Sequence, residues 1–113
     1  MDECPMRPGD DHYRVVGPED SVEDAVDLGV RPDPERVRAL AEAGRTVLVR
    51  CPGAAGADDS AESAEAVALA ALYAWLGARV FATAHRRPVR QALDMVASLR
   101  GHRPPAVARR GLA

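Results

Sequence analysis

The stretch "VFATAHRRPVRQALDMV", residues 80–96, decides how this chain is read. Val80 to Thr83 form a short β-rich run that breaks at His85-Arg86-Arg87-Pro88. Beyond the break, Val89, Leu93 and Val96 recur at helical spacing. A strand that feeds straight into a helix is the repeating unit of α/β proteins. Its junction, at the carboxyl end of the strand, is where anions settle on free amides and the helix dipole. His85, Arg86 and Arg87 are therefore candidate ligand-binding residues. The competing reading is a solvent-facing loop whose charges only terminate the strand, and Pro88 removes one N–H that an anion cradle would use.

Upstream, the same alternation repeats. "TVLVRC" (46–51) is a near-continuous apolar run, as expected of a strand covered on both faces. Before it, "DPERVRALAEAG" (33–44) has the marks of a helix: Asp33 to cap, Pro34 at the first position, Val37, Leu40 and Ala41 on one stripe, and Gly44 to stop. A longer helix is predicted from Ser60 to Leu76, with Asp59 and Glu62 as a capping box and apolar residues on more than one face. After the strand at 79–84, the last helix is predicted over Pro88 to Arg100, ended by Gly101. "HYRVVG" (12–17) reads as a short strand. "SVEDAVDLG" (21–29) reads either as one or two capped helical turns or as a strand end. Alternating elements with short links imply right-handed crossovers and a parallel sheet.

Composition sets bounds. The chain has 113 residues, enough for one domain with a real core, but only 4% are aromatic, so Ala, Val and Leu must fill most of it. The net charge of −2 gives no basic field for nucleic acid or an anionic membrane, and no run is of membrane length. All 15 basic side chains are arginine, which excludes a lysine Schiff base or a lysine ammonium on a phosphate. Two cysteines, Cys4 and Cys51, imply no disulfide framework and point to the cytoplasm. With His12, His85 and His102 they show no metal-ligand spacing, so neither a metal nor a cofactor is expected. Cys51 reads as a small buried hydrophobe, and Trp75 and Tyr73 as packing residues. Arg50, at a strand end, points either into a cleft or outward. The expected organisation is a poorly ordered acidic leader over 1–20, a βα-repeat domain over 21–101 and a tail over 102–113.

Three segments carry a resemblance: "AWLGARVF" (74–81), "QALDMVASLRGHRPP" (91–105) and "AVARRGLA" (106–113). They resemble the carboxyl end of dihydropteroate synthase, closest to its divergent actinobacterial paralogue. "TVLV" then fits that family's seventh strand, and "VDLG" its sixth-strand motif. The resemblance implies a partial (β/α)8 TIM-barrel-like fragment: about three βα units with a short parallel sheet. The family joins p-aminobenzoate to a dihydropterin pyrophosphate with magnesium. Position by position, however, the ligands it uses are missing here. Its eighth-strand Arg and His fall on Ala82 and Ala84, with His85 one residue late and so turned to the other face of a continuing strand. Its seventh-strand lysine falls near Ala54. In the sixth-strand motif Asp27 and Gly29 match, while Leu28 stands in place of proline, and the first five strands have no counterpart.

The resemblance thus implies a truncated, degenerate relative with scaffold residues but no catalytic ones. The candidate ligand-binding residues are Asp27, His85, Arg86 and Arg87. The expected function is a non-catalytic module acting by protein association, with itself as a homo-oligomer or with a dihydropteroate synthase chain. The alternatives are a pterin- or anion-binding subunit of a composite folate-biosynthesis site, and a decayed gene product. Strands cut from a barrel would leave two bare edges and an uncovered inner face, which favours self-association.

Overall fold

Every strand among the described residues pairs in parallel. The structure is a computed structural model that describes residues 12–53 and 60–101. In chain order it comprises β1 (Arg14–Val16), β2 (Val26–Val30), α1 (Pro34–Glu42), β3 (Val47–Arg50), α2 (Ala61–Leu76), β4 (Val80–Ala82) and α3 (Arg86–Leu99). The four strands form one open sheet in the order β1-β4-β3-β2. The expected α/β class and parallel sheet are present, with one strand more than three βα units supply.

The local causes are mostly those the sequence names. Asp33 caps α1 by accepting the Glu35 N–H at 3.1 Å, with Pro34 opening the helix. At α2 the cap is Ser60, whose Oγ accepts the Ser63 N–H at 3.1 Å. The expected capping partner Asp59 lies outside the described residues. Helix α3 starts two residues before Pro88, at Arg86, with His85 as its N-cap. A proline in the first turn is harmless because the first N–H groups of a helix have no partner within it. The ambiguous segment before α1 is strand β2, since Val26 to Val30 find a partner in β3.

All three helices lie on one face of the sheet. There the core gathers Val47 and Val49 of β3, Phe81 of β4, Val37 of α1, Ala66, Ala70, Tyr73 and Ala74 of α2, and Val89, Leu93 and Val96 of α3. The Tyr73 hydroxyl donates to the Pro32 carbonyl at 2.7 Å, which ties α2 to the end of β2. One expectation is corrected here. Helix α2 buries a single face, formed by Ser63, Ala66, Ala70, Tyr73 and Ala74, while Leu72 and Trp75 are each more than half exposed. Alanine at the contact positions lets the helix pack closely against α3 and α1, and the larger side chains Leu72 and Trp75 lie on the outer side.

The opposite face of the sheet is also covered. Leu48, Val80 and Ala82 form a second, smaller buried cluster against which Val22 and Ala25 pack. Those two residues belong to the connection 17–25, which runs from β1 at one edge of the sheet to β2 at the other. The helical connections step across the sheet in the other direction, so a right-handed crossover puts this one on the helix-free face. The expected uncovered inner face is therefore closed by the chain itself. Residues 12–20, expected in the leader, belong to the folded unit. Tyr13 is 1% exposed, with its ring edge-on to Phe81 at 6.2 Å, so the folded unit begins no later than Tyr13. Residues 1–11 and the tail 102–113 lie outside the described residues.

Candidate functional site

Strands β1 and β4 are neighbours, yet the chain leaves their carboxyl ends towards opposite faces: β1 into the connection 17–25, β4 into α3. In open parallel sheets, ligands bind in the crevice that such a divergence opens. Here the Thr83 N–H donates to the Val16 carbonyl at 3.0 Å and closes the floor of the crevice. Asp20 stands above it. Its Oδ2 accepts the Gly17 N–H at 2.8 Å and faces the Arg86 guanidinium at 3.8 Å. The chain thus places its own carboxylate at the switch point.

Arg50 extends this arrangement towards the other edge of the sheet. Its Nε and Nη2 donate to Asp27 Oδ2 at 3.0 and 2.7 Å, Nη1 donates to the Pro18 carbonyl at 3.0 Å, and Nη2 also donates to the Asp20 carbonyl at 2.9 Å. The Arg50 guanidinium, first, holds the Asp27 carboxyl below the usual carboxylate range against the opposing effect of partial burial. The Gly29 N–H, donating to Asp27 Oδ1 at 2.9 Å, lowers it further. Asp27 and Arg86, two of the four residues read from the sequence, are therefore joined in one polar network through Arg50 and Asp20.

His85 and Arg87 are not part of it. His85 is 1% exposed, and neither of its ring nitrogens has a hydrogen-bond partner among the described residues. Its N–H donates to Thr83 Oγ1 at 2.9 Å. The ring lies on the helix side, where a Cβ on Gly53 would stand 3.5 Å from Nε2 and 3.2 Å from Glu62 Cβ. Arg87 is exposed at the start of α3, and its side chain makes no ion pair or hydrogen bond to a described residue. The four residues thus divide between a network and two separate positions.

Cys51 is buried at the end of β3, and burial pushes its thiol up to about 11. At neutral pH it is a thiol, not a nucleophilic thiolate. Among the described residues no group of three or more His, Cys, Asp or Glu side chains is placed to hold a metal ion. No described helix is long and apolar enough to cross a membrane. A cleft of about 130 Å³, lined by His12, Arg14, Asp24, Thr46, Arg79 and Val80, opens at the amino ends of the strands, away from the network. It is smaller than the ~300 Å³ at which small-molecule pockets begin.

Asp20 is the residue that sequence reading passes over. Its signal is local: three residues after Gly17, in a turn opened by Pro18, an Asp can accept the N–H of the turn's first residue. Arg50 was legible as a strand-end cation but not in its direction, because its partners lie 23 to 32 residues upstream. Compared with protein families, curated proteins and solved structures, the chain matches none.

Proposed function

We propose that this chain is a non-catalytic module, akin to the carboxyl end of dihydropteroate synthase, that acts by protein association with itself or with a full-length synthase. The observation that carries the reading is the outer surface of the two packed helices α2 and α3. Leu72 and Trp75 on α2, and Met95 and Leu99 on α3, are each more than half exposed. Arg100, at the end of α3, lays its guanidinium 5.0 Å from the centre of the Trp75 ring and donates to the Trp75 carbonyl. Large apolar side chains at helical spacing on neighbouring helices mark a surface for protein contact. Burying them is worth roughly 25 cal/mol per Å².

The absence of independent catalysis is supported by two features. Ala82 and Ala84 stand where the resemblance puts charged pyrophosphate ligands, and the network at the carboxyl ends of the strands is satisfied by the chain's own oxygens. The partial-barrel origin rests on the resemblance together with the parallel βα order.

Light scattering at micromolar concentration tests the association: a dimer or larger species is expected, reduced to monomer by Trp75→Glu with Leu99→Glu. A monomer at all concentrations, alone and mixed with a full-length synthase, overturns it. Purified chain supplied with p-aminobenzoate, dihydropterin pyrophosphate and magnesium is expected to form no dihydropteroate. A second reading, a pterin- or anion-binding subunit of a composite site, is favoured by the ring nitrogens of His85 beside the start of α3, which have no hydrogen-bond partner among the described residues. Calorimetry with pyrophosphate separates the two readings.

A further inference from the structure

The connection 17–25 crosses the sheet without forming a helix or a strand of its own. Within it, the Asp20 N–H donates to the Gly17 carbonyl and the Ala25 N–H to the Val22 carbonyl, both at 3.1 Å. Among the described residues, its polar ties to the rest of the fold come from two arginines. Arg50 takes the Pro18 and Asp20 carbonyls, and Arg86 takes the Asp20 carboxylate. Its apolar ties are Val22 and Ala25, which rest on Leu48, Val80 and Ala82. The ends of the connection are fixed by β1 and β2, three strand spacings apart, or about 14 Å. Nine residues reach about 30 Å when extended, so the segment is long enough to lift without unpairing either strand.

We propose that residues 17–25 are a displaceable strap and that Arg50 is its latch, with Asp27 as the positioning residue that aims the Arg50 fork at the two strap carbonyls. In the latched state the strap hides the face formed by Leu48, Val80 and Ala82. Unlatched, it bows outward and offers that apolar face to solvent while the helix-side core stays intact. The two sides of the sheet are packed independently, by helices on one and by a single held segment on the other. Loss of the strap is thus a local opening and not global unfolding.

Amide hydrogen exchange on the full chain tests the latch. In the unaltered protein, the Gly17, Asp20 and Ala25 amides are expected to exchange at least about tenfold faster than those of Val49 and Phe81, because strap opening is sub-global. Arg50→Ala should accelerate the three strap amides by a further factor of about ten or more, the least that loss of one charge-assisted bond implies. It should leave Val89 and Leu93 protected and raise the fluorescence of an apolar-surface dye. Asp27→Asn, which keeps size but releases the fork, should give the same pattern more weakly. Strap amides that exchange together with Val49 and Phe81 in the unaltered protein overturn the proposal, even if Arg50→Ala fails to fold. So does a folded Arg50→Ala variant whose strap exchanges no faster. The helix-face association is read separately, by light scattering, and either result leaves the other standing.

Discussion

Arg50 and Asp27 meet through two donors and one oxygen: Nε at 3.0 Å and Nη2 at 2.7 Å converge on Asp27 Oδ2. The arrangement holds two residues 23 positions apart on adjacent strands and leaves Nη1 free to bind the strap.

Because the Asp27 pKa is lowered on folding, the stability from this pair is fully present above the unfolded carboxyl value of about 3.9 and is lost as pH falls through the lower folded value. Asp27→Asn should therefore cost stability at pH 7 and progressively less below pH ~4. The Asp27 side chain is 43% exposed, so solvent screening keeps the cost to about 0.5–1 kcal/mol. Urea denaturation at pH 7 and pH 3 measures the difference, and an equal cost at both pH values would refute the ion pair as its source.

His85→Leu is expected to be neutral or stabilising. Burying a polar group without a hydrogen bond costs about 1–3 kcal/mol, and both ring nitrogens of His85 are in that state among the described residues. Denaturant midpoints compare the variants. A loss of stability above about 2 kcal/mol would mean that the ring has a polar role.

Ala82→Arg with Ala84→His restores the side chains that the resemblance places in the last strand, and would add pyrophosphate affinity if both faced a cleft. Ala82 instead packs beneath the strap with Leu48 and Val80. An arginine there buries an uncompensated charge, at a cost of about 3–5 kcal/mol, or forces the strap off. Calorimetry is expected to show no gain in pyrophosphate affinity, and thermal denaturation a clear loss of stability.

Gly77 ends α2 with φ +120°, and a Cβ there would stand 2.5 Å from Ala41 Cβ. Gly77→Ala should destabilise by about 2 kcal/mol or more, from backbone strain and the clash with α1 together. Circular dichroism melting checks this, and a variant as stable as the parent would mean that α1 and α2 can separate.

What was legible in the sequence follows from the range of the forces involved. The α1 cap, the stop at Gly44 and the apolar run of β3 are fixed by neighbours a few residues apart, so they can be read in order along the chain. The sequence of β2 fits either helix or strand because its conformation depends on β3, some 20 residues downstream. Pro88 misplaced the start of α3, since a proline marks the first turn without saying which residue of it. Asp27 and Arg86 were found by residue type. Their connection was not, because it runs through Asp20 and Arg50, whose meeting depends on which face of the sheet the first connection crosses. The exposed side of α2 was hidden by composition: its stripes are apolar on both sides, and only the choice of alanine at the contacts decides which side faces inward.

The first strand of the unit lies beside the last, and this brings its two ends together. Tyr13, just before β1, has its carbonyl bonded by Arg90 of α3. Burial raises the Tyr13 hydroxyl pKa, while Arg100, close to where α3 ends, is near enough to oppose that rise. The chain therefore enters and leaves the fold at one pole, opposite the carboxyl ends of the strands. A unit built this way tolerates being opened elsewhere and rejoined at that pole, and can be inserted as a whole into a loop of another protein.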